Sequence, residues 1–96
     1  MLTNEGVKFV KIKKDYELKQ VHGEYVVVNT AVSTEAYNTI VLSDTAVFLW
    51  NLLKEKDLTK KEMLDAVLEN FDISTVLALG SIDVFVKTLK KNEIIE

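Results

Sequence analysis

An α+β domain is what this sequence predicts, with strands gathered near the N-terminus and helices after them. Three observations carry that expectation. With 48% hydrophobic and 28% charged residues, the chain holds enough apolar surface to offset the entropy of ordering itself, although 96 residues bury only a modest core. The first 42 residues read as strands, by period-two alternation in VKIKKDYELKQV and a β-branched run after it, and apolar side chains recur with helical period beyond Leu42. Strands followed by helices, without interleaving, form segregated layers and not a parallel α/β sheet. A single domain over residues 1–96 is expected, with strands within about 8–42 and helices over about 44–55, 60–70 and 75–91.

The stretch VKIKKDYELKQV places Val10, Ile12, Tyr16 and Leu18 between charged residues, as a half-buried strand does, with an interruption near Lys14. In VHGEYVVVN, His22-Gly23 makes a tight hairpin turn in which glycine supplies positive φ, and the β-branched run Val26, Val27, Val28 is the second strand. After the polar loop TAVSTEA, the segment YNTIVL forms a short third strand ending at Leu42. The three strands make one small antiparallel meander.

Ser43 is placed to cap the first helix, with Asp44 in the first turn where its charge favours the helix dipole. Ala46, Val47, Phe48, Leu49, Trp50, Leu52 and Leu53 run nearly all the way round this helix, so it should be the central one. Thr59 and Glu62 have the spacing of a capping box, and Met63, Leu64, Val67 and Phe71 form the inner face of the second helix. A third helix begins near Ser74 or Thr75 and closes with Lys87, Lys90 and Lys91, whose charges suit its negative end. Beyond it, Asn92 is expected in a left-handed C-cap conformation, with Ile94 and Ile95 packing back onto the body.

The third helix carries more apolar side chains than a single core stripe needs. Ala78, Ile82, Phe85 and Leu89 share one line, flanked by Leu79 and Val86, and read as core. Leu77, Ser81, Val84 and Thr88 form a second line about a third of a turn away. That second line either packs on the domain's own sheet or meets something else.

Chemistry is excluded more readily than it is found. Without cysteine, the chain has no disulfide, thiolate metal site or cysteine nucleophile, and its single histidine, His22, belongs to a surface turn. No metal-binding or phosphate-cradling motif occurs, so no catalytic residue, metal or cofactor is expected. A net charge of -3 and twelve basic residues that are all lysine speak against nucleic acid, because phosphate neutralisation and the arginine fork dominate that recognition. With no long apolar run, membrane insertion is not expected and a cytoplasmic location is.

Taken in order, DYELKQVHGEYVVV, YNTIVLSDTAVFLWNLL and DVFVKTLKKNEIIE resemble the PqqD-like family, the RiPP recognition elements. The resemblance runs from about Lys11 to Glu96 and lies in the order and spacing of core and capping positions. Ser43 stands where many relatives carry Asn, and both residues cap helices. It implies a winged-helix-like fold, a three-stranded sheet packed on three helices. It also implies a non-catalytic function: binding the leader of a ribosomally made precursor peptide and presenting it to a modifying enzyme, often a radical S-adenosylmethionine protein.

In such proteins the leader lies as an extra strand against the third strand, beside the third helix. Carried onto this chain, one wall of the groove is Tyr37, Thr39, Ile40 and Val41, and the other is Leu77, Ser81, Val84 and Thr88, with Lys87 near its end to attract acidic leader residues. Two other functions fit the same element order. One is a winged-helix DNA-binding regulator, although the start of the third helix, STVLALGS, has no base-reading side chain. The other is an adaptor or dimerisation module, which leaves monomer and homodimer both open.

Overall fold

The computed structural model describes residues 9–30 and 40–96. In chain order the elements are β1 (Phe9–Val10), β2 (Tyr16–Val21), β3 (Glu24–Asn29), β4 (Ile40–Leu42), α1 (Asp44–Glu55), β5 (Leu58–Thr59), α2 (Lys60–Asn70) and α3 (Thr75–Lys91). An antiparallel sheet of order β2-β3-β4 precedes the helices, as an α+β chain should, and β1 and β5 form a separate two-stranded ribbon.

That ribbon divides the expected first strand. Val10 pairs with Leu58 and both are buried, Ile12 bridges Ile95, and the sheet proper begins only at Tyr16. The break falls where Asp15 takes φ 77°, a conformation that Asp adopts more readily than most residues because its short polar side chain bonds locally. The Asp15 carbonyl accepts from the Thr30 backbone N–H at 2.6 Å and from its hydroxyl at 3.1 Å, which closes the open end of the β2–β3 ladder.

At the other end, His22 and Gly23 take φ 52° and 83°. Two successive left-handed residues define a type I′ turn, whose twist matches that of paired strands. The register follows, from Val21 opposite Glu24 to Tyr16 opposite Asn29. On the far side of β3, Tyr25, Val26 and Val27 face Leu42, Val41 and Ile40.

Each helix opens on a side chain that satisfies an orphan backbone donor. Ser43 Oγ accepts from the Ala46 N–H at 3.3 Å, and Ser74 Oγ accepts from the Leu77 N–H at 3.2 Å. At α2 the capping box is complete: Thr59 Oγ1 accepts from the Glu62 N–H at 3.2 Å while Glu62 Oε1 accepts from the Thr59 N–H at 2.9 Å. Helix α1 is central, with Ala46, Leu49, Trp50 and Leu53 buried, and it meets Met63 and Val67 of α2 and Ala78, Ile82, Phe85 and Leu89 of α3 in one core. Leu64 and Phe71 complete the α2 face half-buried, and the Phe71 ring meets Phe48 edge-on at 5.3 Å.

The C-terminal stop differs from the expectation. Asn92 is not left-handed, having φ -97°, and its side-chain amide donates to the Thr88 carbonyl at 2.8 Å. The left-handed residue is Glu93, at φ 58°. Its N–H donates to the Lys90 carbonyl at 3.1 Å, and that of Ile94 to the Leu89 carbonyl at 2.8 Å. These two bonds, with Ile94 and Leu89 both buried, form a Schellman motif that merely lacks its usual glycine. The tail then clasps the N-terminal segment: the Lys13 N–H donates to the Ile94 carbonyl and the Glu96 N–H to the Lys11 carbonyl. Because an L side chain resists this φ and glycine does not, Glu93→Gly is expected to stabilise the fold by about 1 kcal/mol. A rise in urea midpoint at unchanged slope checks this.

Candidate functional site

Among the described residues, strand β4 has a strand partner on one side only, β3, which lies between it and β2. Which of its backbone groups face the open side follows from the hairpin. The two-residue turn makes Val21 and Glu24 a pair that exchanges both N–H···O bonds, and such pairs alternate along an antiparallel ladder. The phase is confirmed at the far end, where the Thr30 N–H donates to the Asp15 carbonyl. It is confirmed again at Tyr16, whose carbonyl points away from β3 and accepts from Lys54 Nζ at 3.1 Å. Val26, opposite Lys19, therefore bonds to β2, while Tyr25 and Val27 bond to Leu42 and Ile40. Val41 is left with its N–H and C=O both directed outward.

Facing that edge is the second apolar line of α3. Leu77 is 62% and Val84 66% exposed, whereas Ala78, Ile82 and Leu89 are fully buried. The line does not pack on the domain's own sheet. Between edge and helix lies a cleft of about 510 Å³. Val41, Leu42 and Ser43 form one side, Ala46 of α1 lies at its base, and Val76, Leu77, Gly80, Ser81, Val84, Phe85 and Thr88 of α3 form the other. None of these lining residues is charged. Another cleft, of about 410 Å³ at the far end of α1, mixes Lys11, Lys14, Lys54 and Lys56 with Glu55, Asp57 and Glu96 and has no open strand edge.

Of the residues singled out from sequence, Val41, Leu77, Ser81, Val84 and Thr88 come together in the cleft. Ile40 packs half-buried against the core, because its side chain lies on the sheet face opposite to that of Val41. Lys87 is exposed and outside the lining. Tyr37 and Thr39 lie outside the described residues. Leu79, expected beside the core, is 44% exposed instead. Val76, 78% exposed, lines the cleft without having been expected there. Its signal is the spacing of four to Gly80 and again to Val84, hidden because glycine reads as a gap in an apolar line.

Among the described residues, no group of three His, Cys, Asp or Glu is placed to hold a metal ion, and no helix is long and apolar enough to cross a membrane. What the arrangement offers is an unpaired strand edge beside an apolar wall.

Residues 24–95 match the family described as Coenzyme PQQ synthesis protein D (PqqD). The chain belongs to the PqqD family. The span matched to PqqD includes β3, β4 and all three helices, and so both walls of the cleft. Among solved structures, this PqqD-family chain resembles TbiB1 in complex with the TbiA(beta) leader peptide, at 19% identity and TM-score 0.68 over 90% of this chain and 94% of that one. It also resembles lasso peptide synthetase B1 complexed with the leader peptide, at 16% identity and TM-score 0.65 over 91% of this chain and 96% of that one. At such identities the likeness is one of fold. No curated protein shows a significant match to the chain.

Proposed function

We propose that this PqqD-family protein binds the leader of a ribosomally made precursor peptide as a strand added to β4, and presents the peptide to a modifying enzyme, a radical S-adenosylmethionine protein. Its role is recognition, without catalysis. The observation that carries the reading is the outward-facing backbone of Val41 opposite the exposed Leu77 and Val84. An extended peptide satisfies both at once, since its backbone pairs with an edge while alternate side chains turn toward the helix. Both structural neighbours carry a leader peptide in the solved complexes, which supports the same choice of ligand.

Among the described residues the sheet has a second open edge, on β2, and it is less suited to strand addition. There the Tyr16 carbonyl already accepts from Lys54, and Glu17 and Lys19 place charges along the strand. Charged side chains, lysine above all, are the usual guards of an edge. The residues of β4 are all apolar.

Energetics decides which part of the peptide matters most. Val41 offers one donor and one acceptor, and at a net of about 0.5 to 1.5 kcal/mol per bond the pair contributes roughly 1 to 3 kcal/mol. The Ser43 carbonyl adds little, because it already accepts from the Val47 N–H at 2.8 Å. Micromolar affinity needs about 8 kcal/mol. Most of it must come from side chains, at about 1.5 to 3 kcal/mol for each one fully buried. With a lining that is uncharged and, apart from Ser43, Ser81 and Thr88, apolar, most of that term is apolar.

The test is an amide NMR titration with a leader peptide from a short reading frame adjacent to the gene, and a DNA duplex in parallel. Shifts are expected at Val41 and Leu42 and along Leu77, Ser81 and Val84 with the peptide and not with DNA. Shifts on α3 with DNA alone would replace this reading with that of a DNA-binding regulator.

A further inference from the structure

We infer that the cleft reads its peptide in one hydrogen-bond phase set by Val41, so that the residues whose side chains enter the cleft are those whose N–H groups point away from β4. The inference rests on the strand-addition reading above. It follows from the ladder once the added strand runs antiparallel to β4, as the existing pairs of this sheet do. In an antiparallel pair, residues directly opposite share a face and either exchange both bonds or neither. Val41 directs both its groups outward, so the peptide residue opposite it exchanges both bonds, and its side chain lies on the Val41 face, opposite to the face that carries Val27 and Leu42.

The peptide residues on either side stand opposite Ile40 and Leu42. Their side chains point to the face of the sheet that carries Val27 and Leu42, both in the core cluster, and hence toward Leu77 and Val84. Their N–H groups are directed away from β4. The recognised segment is therefore an apolar pair two residues apart, with a residue between them that needs a free N–H and cannot be proline. Since the described lining has no charge, acidic side chains at the two inward positions meet no opposite charge and lose hydration.

In the opposite phase, or with a parallel strand, the two roles would fall on the same residues. The two cases can be told apart even with a peptide that is not the natural one. The probe is a random linear peptide library displayed on phage, selected on the intact protein and counter-selected on Val84→Asp. The strongest enriched sequence is then synthesised as an alanine series and as a series with single backbone amides replaced by esters, which deletes one N–H without adding bulk. Positions that lose about 10-fold or more to alanine are expected to change less than about 3-fold on ester replacement, and the residue between them to show the reverse. Losses from both series at the same positions, in peptides that still require Val84, would overturn the phase while leaving strand addition in place. Enrichment that is equal on the Val84→Asp protein, or absent altogether, would overturn strand addition itself.

Discussion

Val84→Asp is expected to weaken peptide binding by about 100-fold or more while leaving the folded protein unchanged. Val84 is 66% exposed in the free chain, so the new carboxylate stays hydrated, and surface substitutions of this kind usually shift stability within about 0.5 kcal/mol. Once a strand lies in the cleft, the same carboxylate is desolvated against a mostly apolar lining that offers no opposite charge. Burying an unpaired charge costs several kcal/mol, and each 1.4 kcal/mol is about tenfold in affinity. Calorimetric titration beside a urea unfolding curve separates the two effects. A collapsed unfolding midpoint would show that Val84 supports the fold, and unchanged binding would move the peptide elsewhere.

Trp50→Ala is expected to have the largest effect on the fold itself. Trp50 is 1% exposed in the middle of α1, the helix that touches α2, α3 and β4. Removing a buried Trp side chain costs about 3 to 5 kcal/mol, because the cavity left behind collapses only in part. A domain of this size has a total stability of roughly 5 to 14 kcal/mol, so the variant should be marginal or unfolded at room temperature. Urea denaturation followed by circular dichroism reads this directly. A midpoint close to that of the parent would remove Trp50 from the centre of the core.

The two variants act on adjacent parts of one arrangement, and the contrast explains how much of the site is legible in the sequence. The apolar line Leu77, Ser81, Val84 and Thr88 is visible in the spacing along α3, and so is the line Ala78, Ile82, Phe85 and Leu89. The spacing reads the second of these as core, as it is, but does not say whether the first also packs on the domain's own sheet. Leu79 shows the same limit: by period it flanks the core, and in the fold it is 44% exposed. The burial of a helix face depends on where the other elements lie, and for α3 that is settled by contacts with α1 and α2.

Local events were legible in the order of residues. The starts of the helices were legible because Ser43, Thr59 with Glu62, and Ser74 act on backbone donors three residues away. His22-Gly23 was legible because a two-residue turn depends on the φ of its own residues. Pairings between distant segments required the folded chain. The ribbon joins residues 9–10 to 58–59, and the clasp joins Ile12 to Ile95. The left-handed residue after α3 is Glu93 and not Asn92 because Ile94 must enter the core. The outward phase of Val41 is inherited through β3 from a turn on the opposite edge of the sheet. Each of these is a pairing between distant segments, whose free energy depends on burial that no short stretch of chain can achieve alone.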